Sequence, residues 1–292
     1  MAAGKVSIEG HVVDSGEAHV SVFDRGFLYG DSVFEVFRTY RGVPFAQREH
    51  LERLQRSADR LMIAMPVSVE TLCSEVAATL EAAGEGEWYV RVVITRGMGP
   101  LTYDPTTATR PLRVIIAAPV TVPPAEHYER GIAVSLLHAS RPTDDERASG
   151  AKASNYLANL LAVHEAKQQG AQEALMLGRR GQILEGASSN VFIVKDGAVR
   201  TPEPQPGVLV GITRAAVLAA ASAAGIRVEE AEVRPEDLYA ADEAFITSSI
   251  REVMPVVAAD GRTIGSGAPG SVTKRLHQGY LRAVADATGP GV

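Results

Sequence analysis

Two residues with unusual surroundings, Lys152 and Glu185, are the first candidates for chemistry in this chain. Lys152 stands at the head of a mostly apolar stretch for which the spacing predicts a helix, and Glu185 comes just before a run of small residues. A lysine that enters a packed interior is costly unless its charge is paired, lost or replaced by a covalent bond. Desolvation favours the neutral amine, which is the nucleophile that condenses with carbonyl groups. We therefore expect the function to lie with Lys152 and Glu185.

A second set of residues has the chemistry to bind an anion. Gly211 stands two residues before Thr213, the first residue of the predicted helix 213–224, where free N–H groups and the helix dipole favour a phosphate. Ordinary helix caps have the same sequence pattern, so this segment by itself does not distinguish a phosphate site from a cap. The hydroxyls of Thr247, Ser248 and Ser249 follow a predicted strand and could donate further, although such loops usually satisfy their own backbone.

Arg53 and Glu185 each allow two interpretations. Arg53 lies in a predicted helix between inward-facing leucines. It either has a structural role, snorkelling to solvent or pairing with Glu49 or Glu52, or it aims a fork of donors at a phosphate. Glu185 is either a solvated turn acid or a carboxylate bonded to the protonated ring nitrogen of a cofactor. The residues themselves leave both questions open.

Composition excludes several classes of function. The chain has 292 residues, 46% of them hydrophobic and 22% charged, with a formal net charge of −6. This balance argues against a nucleic-acid partner. Cys73 is the single cysteine, and the seven histidines lack metal-ligand spacing, so we expect neither a disulfide nor a metal site. No apolar run is long enough for a membrane span and no signal peptide is visible, which predicts a soluble, cytoplasmic protein with no membrane partner.

The alternation of predicted elements indicates a mixed α+β protein with two domains. Three prolines between Pro119 and Pro124 form a stiff segment, so we predict a small N-terminal domain at 1–118, a linker at 119–131 and a larger C-terminal domain at 132–292. Short strands are predicted at 6–13 and 18–22, on either side of a turn at 14–16. A polar loop is predicted at 140–150.

Six motifs in a fixed order carry a resemblance to a known family. They are Asp24-Arg25-Gly26-x2-Tyr29-Gly30-Asp31, Glu49-His50-x2-Arg53-Leu54, Lys152-x2-Asn155-Tyr156-Leu157, Glu185-Gly186-x-Ser188-Ser189-Asn190-Val191-Phe192, Gly211-Ile212-Thr213-Arg214 and Thr247-Ser248-Ser249-x2-Glu252-Val253-x-Pro255-Val256. Together they resemble the class IV (fold type IV) aminotransferases, which use pyridoxal 5′-phosphate. The resemblance runs from about Val20 to Arg282.

The resemblance implies specific roles for these residues. Lys152 would bind the cofactor covalently, Glu185 would bond its pyridine nitrogen, and Tyr156 would lie near its phenolic oxygen. Further cofactor contacts are implied for Arg53, Ser189, Asn190, Leu209, Gly211, Ile212, Thr213, Ser248 and Ser249. It also implies a small sandwich-like α/β N-terminal domain, a barrel-like C-terminal domain that binds the cofactor, and a homodimer.

Within the family, the branched-chain amino acid branch is the closest in pattern. Tyr29, Phe34, Tyr89 and Arg91 match its substrate-pocket positions, which implies transfer from a hydrophobic L-amino acid to a 2-oxo acid such as 2-oxoglutarate by a ping-pong mechanism. The D-amino-acid branch carries Pro-Arg-x-His after its Thr-Arg-Gly motif, and residues 98–104 lack it.

Bulky Ile250 and charged Arg251 depart from the branched-chain pattern, which has small residues at these positions. Ile250 could narrow the substrate pocket, and Arg251 could bind a second substrate carboxylate or face solvent. Three alternatives remain open: a D-amino acid or (R)-amine transaminase, a lyase acting on 4-amino-4-deoxychorismate, and a cofactor-binding protein without activity.

Overall fold

The chain forms two compact units, each with its own sheet. A computed structural model describes residues 4–138, 148 and 150–289. The described parts of Met1–Thr121 and Ala151–Asn155 form the first unit, and those of Val122–Gly150 and Tyr156–Val292 form the second. Among these residues, no helix has both the length and the apolar character needed to cross a membrane.

The first unit contains an antiparallel sheet and two long helices. Its elements are β1 Lys5–Ile8, β2 His11–Asp14, α1 Arg25–Tyr29, β3 Ser32–Tyr40, β4 Val43–Pro44, α2 Gln47–Arg60, α3 Val69–Ala83, β5 Trp88–Thr95 and β6 Leu112–Pro119. The six strands lie in the order β2-β1-β6-β5-β3-β4. Helices α2 and α3 cover one face, because the alternate residues of β3, β5 and β6 on that face are apolar and buried with them.

Apolar residues at helical spacing predict two helices in this unit, at 49–63 and from Ser68 to Gly84, and α2 and α3 confirm both, but two predicted strands are wrong. Ser68 caps α3 by accepting a hydrogen bond from Thr71 N–H, and the helix ends at Gly84, as its sequence predicts. The run 6–13 is not one strand, since Glu9 and Gly10 both have positive φ and turn it into the β1–β2 hairpin. Residues 18–22 form no strand, although the predicted turn after Asp14 is present, with Glu17 N–H donating to the Asp14 carbonyl at 2.9 Å.

The segment that carries Lys152 is extended and lies along an edge of β3. Phe34 N–H donates to the Lys152 carbonyl at 3.0 Å, and Ser154 N–H donates to the Ser32 carbonyl at 3.0 Å. Val33 and Ala153 form an antiparallel bridge between these two bonds. The predicted helix therefore does not begin at Lys152: the Lys152 carbonyl and the Ser154 N–H are used sideways in this bridge, and the helix starts at Leu157.

The second unit is a mixed sheet with helices on its outside. Its elements are α4 Ala125–Arg130, β7 Ile132–His138, α5 Leu157–Gln168, β8 Glu173–Leu177, β9 Ile183–Gly186, β10 Asn190–Lys195, β11 Ala198–Thr201, α6 Ile212–Ala223, β12 Val228–Glu230, α7 Pro235–Tyr239, β13 Glu243–Ser248, β14 Glu252–Ala259, β15 Arg262–Thr263 and α8 Ser271–Thr288. The main strand order is β12-β11-β10-β13-β14-β7-β8-β9, with β15 beside β14.

The sheet of the second unit curls back on itself. Strands β9 and β10 contact each other as well as their neighbours in the sheet, so the six strands from β10 round to β9 close like a barrel. Apolar side chains of these strands, among them Leu175, Ile246 and Met254, are fully buried in its core. The curled sheet agrees with the barrel-like domain that the resemblance implies.

The structure of this region differs from the sequence predictions at two places, Glu185 and residues 151–155. The sequence predicts that Glu185 comes just after a strand, but it lies inside β9, because the short run 183–186 pairs with β8. Residues 151–155 cluster with the first unit, although the predicted division assigns them to 132–292. The domain limits with a linker at 119–131 stay a prediction, and most of the predicted polar loop 140–150 lies outside the described residues.

Candidate functional site

Lys152 is held against an aromatic side chain in the first unit. Its Nζ lies 4.7 Å from the centre of the Phe34 ring, and the guanidinium carbon of Arg91 lies 3.9 Å from the same centre. The Lys152 N–H donates to Ser57 Oγ at 3.1 Å, which fixes the backbone from the side of α2. The structure therefore brings together three of the predicted residues, Lys152, Phe34 and Arg91.

The strand register explains why these residues share a face. In β3 and β5, the residues that alternate with the buried core positions lie on the opposite face of the sheet. Phe34 belongs to this set in β3, and Tyr89 and Arg91 belong to it in β5. Tyr29 lies at the end of α1, where its ring packs near Tyr103 at 5.7 Å between ring centres.

Arg53 is part of a buried ion cluster, which we call the Glu35 cluster: Glu35, His50 and Arg53. Arg53 Nε donates to Glu35 Oε1 at 2.6 Å, and its Nη2 donates to Oε2 at 2.8 Å. His50 Nδ1 contacts Oε2 at 2.7 Å. These two nitrogens of Arg53 therefore donate to Glu35, and the prediction of Glu49 or Glu52 as their partner is wrong. The fork–fork pairing holds the guanidinium plane in one orientation.

The charges of the Glu35 cluster follow from its burial. Burial is the largest influence on Glu35 and raises its pKa, but Arg53 and His50 together outweigh it and lower the pKa to about 2. Burial lowers the pKa of His50, with Arg53 and Lys152 acting in the same direction against Glu35. Glu35 is thus an ionised carboxylate that stabilises the charge of Arg53. The sequence signal for it is an acid at a core-facing position between Val33 and Phe37.

Glu185 is oriented by the backbone of the second unit. Its Oε2 accepts a 2.7 Å hydrogen bond from Leu209 N–H, and the Leu209 carbonyl accepts a 2.7 Å bond from Asn190 Nδ2. One peptide segment therefore connects the predicted ring acid with two predicted cofactor contacts. Glu185 is half-buried, so its carboxylate is not an ordinary solvated turn acid.

The first turn of α6 has the donors that an anion needs. Gly211 is the N-cap residue and no side chain caps the helix, so the N–H groups beside Ile212 and Thr213 point outward from its positive end. A Cβ on Gly211 would collide with the Asn190 side-chain oxygen, which explains the glycine. Thr213 is buried just inside the helix.

The buried hydroxyl of Thr247 lies on the same face of the sheet as Asn190. Thr247 pairs with Asn190 across β13 and β10, so both side chains leave the same face. Within the described residues the Thr247 hydroxyl is buried and has no hydrogen-bond partner. A buried polar atom without a partner is costly, and a polar ligand at this face would satisfy it. The residues present therefore fit a phosphate-bearing cofactor.

Arg251 binds a buried carboxylate of its own unit. Its Nη2 forms an ion pair with Glu173 Oε2 and donates to Ser188 Oγ at 2.8 Å. Glu173 also accepts bonds from the hydroxyls of Ser188 and Ser189, each at 3.1 Å. We call Glu173, Ser188, Ser189 and Arg251 the Glu173 cluster. Sequence reasoning missed Glu173, expected Ser189 to contact a cofactor, and left Arg251 either to bind a substrate carboxylate or to face solvent.

The remaining predicted residues lie at element boundaries. Ser248 ends β13 and accepts a bond from Arg251 N–H at 3.2 Å. Ser249 and Ile250 lie in the turn between β13 and β14, and both are half-buried. Tyr156 directly precedes α5 and is also half-buried.

Comparisons with known proteins agree with the geometry. The family model described as amino-transferase class IV matches residues 32–259. A putative branched-chain-amino-acid aminotransferase of Methanocaldococcus jannaschii is 40% identical over 276 residues, which cover 94% of this chain and 95% of that protein. A D-alanine aminotransferase of Bacillus licheniformis is 33% identical and covers 97% of this chain and 98% of that protein.

Solved structures give the same result. The branched-chain amino acid aminotransferase of Escherichia coli superposes with a TM-score of 0.91 at 33% identity, covering 98% of this chain and 96% of the other. A branched-chain amino acid aminotransferase from T.th., solved with pyridoxamine 5′-phosphate, gives 0.91 at 32% identity, covering 98% and 95%. The predicted fold class is confirmed by these matches.

Proposed function

This chain belongs to the class IV amino-transferases, and on that premise we propose that it transfers an amino group from a hydrophobic L-amino acid to a 2-oxo acid. The observation that carries the proposal is the position of Lys152, held at the edge of β3 with its amine over the ring of Phe34. A covalent lysine needs such a fixed backbone and an apolar neighbour. The branched-chain relatives named above support the choice of donor.

We propose pyridoxal 5′-phosphate as the cofactor. The phosphate would be held by Arg53 and by the α6 N-terminus at Gly211, Ile212 and Thr213, with hydroxyls from Ser248 and Ser249. When bound, the cofactor supplies an electron sink for negative charge at the α-carbon of the donor. A solved relative that contains pyridoxamine 5′-phosphate supports this assignment.

The chain's own residues would do the proton work. Lys152 Nζ would hold the cofactor covalently and, with the donor bound, would remove the proton from the donor α-carbon. Glu185, oriented by Leu209 N–H, would keep a proton on the ring nitrogen through a charge-assisted hydrogen bond. Tyr156 would orient the phenolic oxygen. Each turnover would release one 2-oxo acid before the second, such as 2-oxoglutarate, binds.

A D-amino acid transaminase is the second candidate, because several relatives at 33–35% identity are D-alanine aminotransferases. Against it stands the loop after Arg96, which lacks the Pro-Arg-x-His carried by that branch. The substrate-pocket residues Tyr29, Phe34, Tyr89 and Arg91 match the branched-chain branch, so we place the L-amino acid first.

We also propose that the protein is a homodimer. In the second unit, α5 exposes Leu157, Leu160 and Leu161 by 60% or more. In the first unit, Phe27 and Tyr103 are exposed by 68% and 90%. Large exposed apolar side chains in such number mark interaction surfaces more often than bare solvent contacts. Leu160→Glu should shift the mass measured by light scattering from dimer to monomer, and an unchanged dimer would contradict this role of α5.

The proposed activity is tested by a donor screen of the cofactor-loaded protein. Mixing with L-leucine or L-valine should convert the visible absorption band of the bound cofactor within a single half-reaction, while D-alanine and (R)-1-phenylethylamine should not. Conversion by D-alanine alone would overturn the proposal in favour of the second candidate. Release of pyruvate from 4-amino-4-deoxychorismate without an acceptor would instead indicate a lyase.

The role of Lys152 has its own test. Lys152→Ala should lower turnover by at least about 10³-fold and remove the visible band, because the attachment and the proton transfer both need the amine. Lys195→Ala is the matched control, since Lys195 is a surface lysine paired with Asp242 in the second unit. Turnover by Lys152→Ala close to that of the control would exclude Lys152 from the reaction.

A further inference from the structure

Arg251 and Glu173 connect two turns that carry proposed cofactor residues. We propose that Arg251 is a positioning residue: through the Glu173 cluster it holds the turn 248–252 against the turn 187–189 and does not bind a substrate carboxylate. The inference rests on the proposed function, because its importance comes from the cofactor contacts of these turns. Ser248 and Ser249 lie in one turn, and Glu185 and Asn190 flank the other.

Among the described residues, the side-chain contacts of Arg251 lie within its own unit. Nη2 binds both Glu173 Oε2 and Ser188 Oγ, and Nε lies 3.4 Å from Ser248 Oγ. The side chain of Glu173 is 1% exposed, that of Arg251 20%. A substrate carboxylate that recruited Arg251 would leave Glu173 as a buried, unpaired charge. That cost makes the substrate role unfavourable.

Other anchors hold the same turn from different elements. Tyr128 Oη of α4 donates to the Arg251 carbonyl at 3.3 Å. His277 Nε2 of α8 contacts Glu252 Oε2 at 2.8 Å, and the rings of Tyr128 and His277 stack with their centres 5.2 Å apart. Glu252 has a φ of 54°, a left-handed conformation that a glutamate adopts only where its surroundings hold it. The turn is thus held by two helices, α4 and α8, and Arg251 joins it to the turn 187–189.

The pairing of Arg251 with Glu173 affects substrate choice. Because the charge of Arg251 is neutralised by Glu173, this arginine gives no preference for a donor with an acidic side chain. Arg251 stands where the branched-chain pattern has a small residue. Here that position serves to order the turn, and the pocket next to it is shaped by Ile250 and the backbone of the turn.

The experiment is a double-mutant cycle with three readouts. The variants are Arg251→Gln, Glu173→Gln and the double variant, measured for cofactor dissociation constant, for kcat and KM with L-leucine and L-glutamate, and for hydrogen exchange of residues 248–252 without cofactor. Each single variant should weaken cofactor binding about tenfold, because it leaves one charge of the pair buried. The double variant should be no weaker than the worse single variant. The ratio of the KM values for the two donors should stay within about twofold of wild type.

Each opposite result overturns the inference. A rise of about tenfold in the KM for L-glutamate alone, with cofactor affinity unchanged, would make Arg251 a substrate-binding residue. Additive effects of the two substitutions would show that Arg251 does not act through Glu173. If Arg251→Gln does not fold, Arg251→Lys replaces it, because lysine keeps the charge but loses the fork that binds Glu173 and Ser188 together. Arg251→Lys should weaken cofactor binding by a smaller factor. Unchanged cofactor binding would contradict the positioning role of Arg251.

The readouts also separate this inference from the proposed function. Faster hydrogen exchange of residues 248–252 in Arg251→Gln without cofactor supports the positioning role of Arg251, even if the donor screen finds a different substrate. Unchanged exchange overturns it even if the donor screen succeeds. Arg200→Gln is the matched control, because Arg200 forms a surface pair with Glu229 in the same unit and should change none of the three readouts.

Discussion

Glu35 in the first unit and Glu173 in the second are both buried and both paired with an arginine, yet their partners come from different places. Glu35 binds His50 and Arg53, which lie three residues apart on one face of α2. Glu173 binds Arg251 and two serine hydroxyls, which come from two separate turns. The Glu35 cluster thus attaches a helix to a strand, whereas the Glu173 cluster attaches turns to each other.

This difference teaches what each carboxylate is for. A helix packed on a sheet is rigid without help, so Glu35 contributes mainly a counter-charge that fixes the direction of Arg53. Turns have few contacts of their own, so the position of Ser248, Ser249 and Asn190 depends more on Glu173 and Arg251. We expect loss of Glu35 to be seen first in stability, and loss of the Glu173 cluster first in ligand affinity.

The largest expected effect comes from Glu35→Ala. It leaves the guanidinium of Arg53 buried without this counter-charge, which should lower the free energy of unfolding by about 3–5 kcal/mol. Urea denaturation followed by circular dichroism measures it. A loss below about 1 kcal/mol would mean that the Glu35 cluster is no more demanding than a surface pair.

Acid should unfold the protein partly through Glu35. Its pKa is lowered from 4.5 to about 2, so the unfolded chain takes up this proton at a higher pH than the folded chain. The stabilisation is complete above pH 4.5 and is lost as the pH falls toward 2, for a total on the order of 3 kcal/mol. Glu35→Gln should flatten this limb of the stability–pH curve. A curve with the wild-type slope would contradict the lowered pKa.

A smaller effect separates the two serines of the Glu173 cluster. Both hydroxyls donate to Glu173, but Ser188 also accepts from Arg251. Ser188→Ala should therefore cost more than Ser189→Ala, with values of about 1–2 and about 1 kcal/mol in the free energy of unfolding. Equal losses would show that the Arg251–Ser188 bond contributes little.

The smallest effect is expected at an exposed pair of the first unit. Arg48 and Glu70 are 3.0 Å apart with both side chains more than half exposed. Arg48→Gln should leave the urea midpoint unchanged, because such pairs are solvated and screened. A clear shift would mean that charge pairing as such, and not burial, explains the Glu35 result.

Local patterns in the sequence predict much of this fold. Helix α3 follows from Ser68 and Gly84 at its ends, strand β3 from its alternation and strand β5 from its content of valine and isoleucine. The hairpin at Glu9 and Gly10 does not, because its turn interrupts a run whose β propensity is uniform. The extended backbone at Lys152 does not follow from local sequence either, because it depends on pairing with β3, which is far away in the chain.

The candidate site shows the same limit. Lys152 and Glu185 stand out by residue type alone, and the order of motifs gives them proposed roles. The partners of the arginines do not stand out, since Glu35 and Arg53 are 18 residues apart and Glu173 and Arg251 are 78 apart. Pairing over such distances depends on which strands become neighbours, and a single sequence does not show that.

The bridge between Val33 and Ala153 has a consequence for how the protein is made. Translation delivers β3 early, but the residues that cover its edge at Ser32–Phe34 leave the ribosome only after the whole of the first sheet and the start of the second unit. Until then this edge offers unpaired N–H and C=O groups to other chains. The lysine proposed for catalysis is thus carried in by the last segment that completes the first unit, and a nascent chain that stops before Lys152 has neither a covered edge nor this lysine.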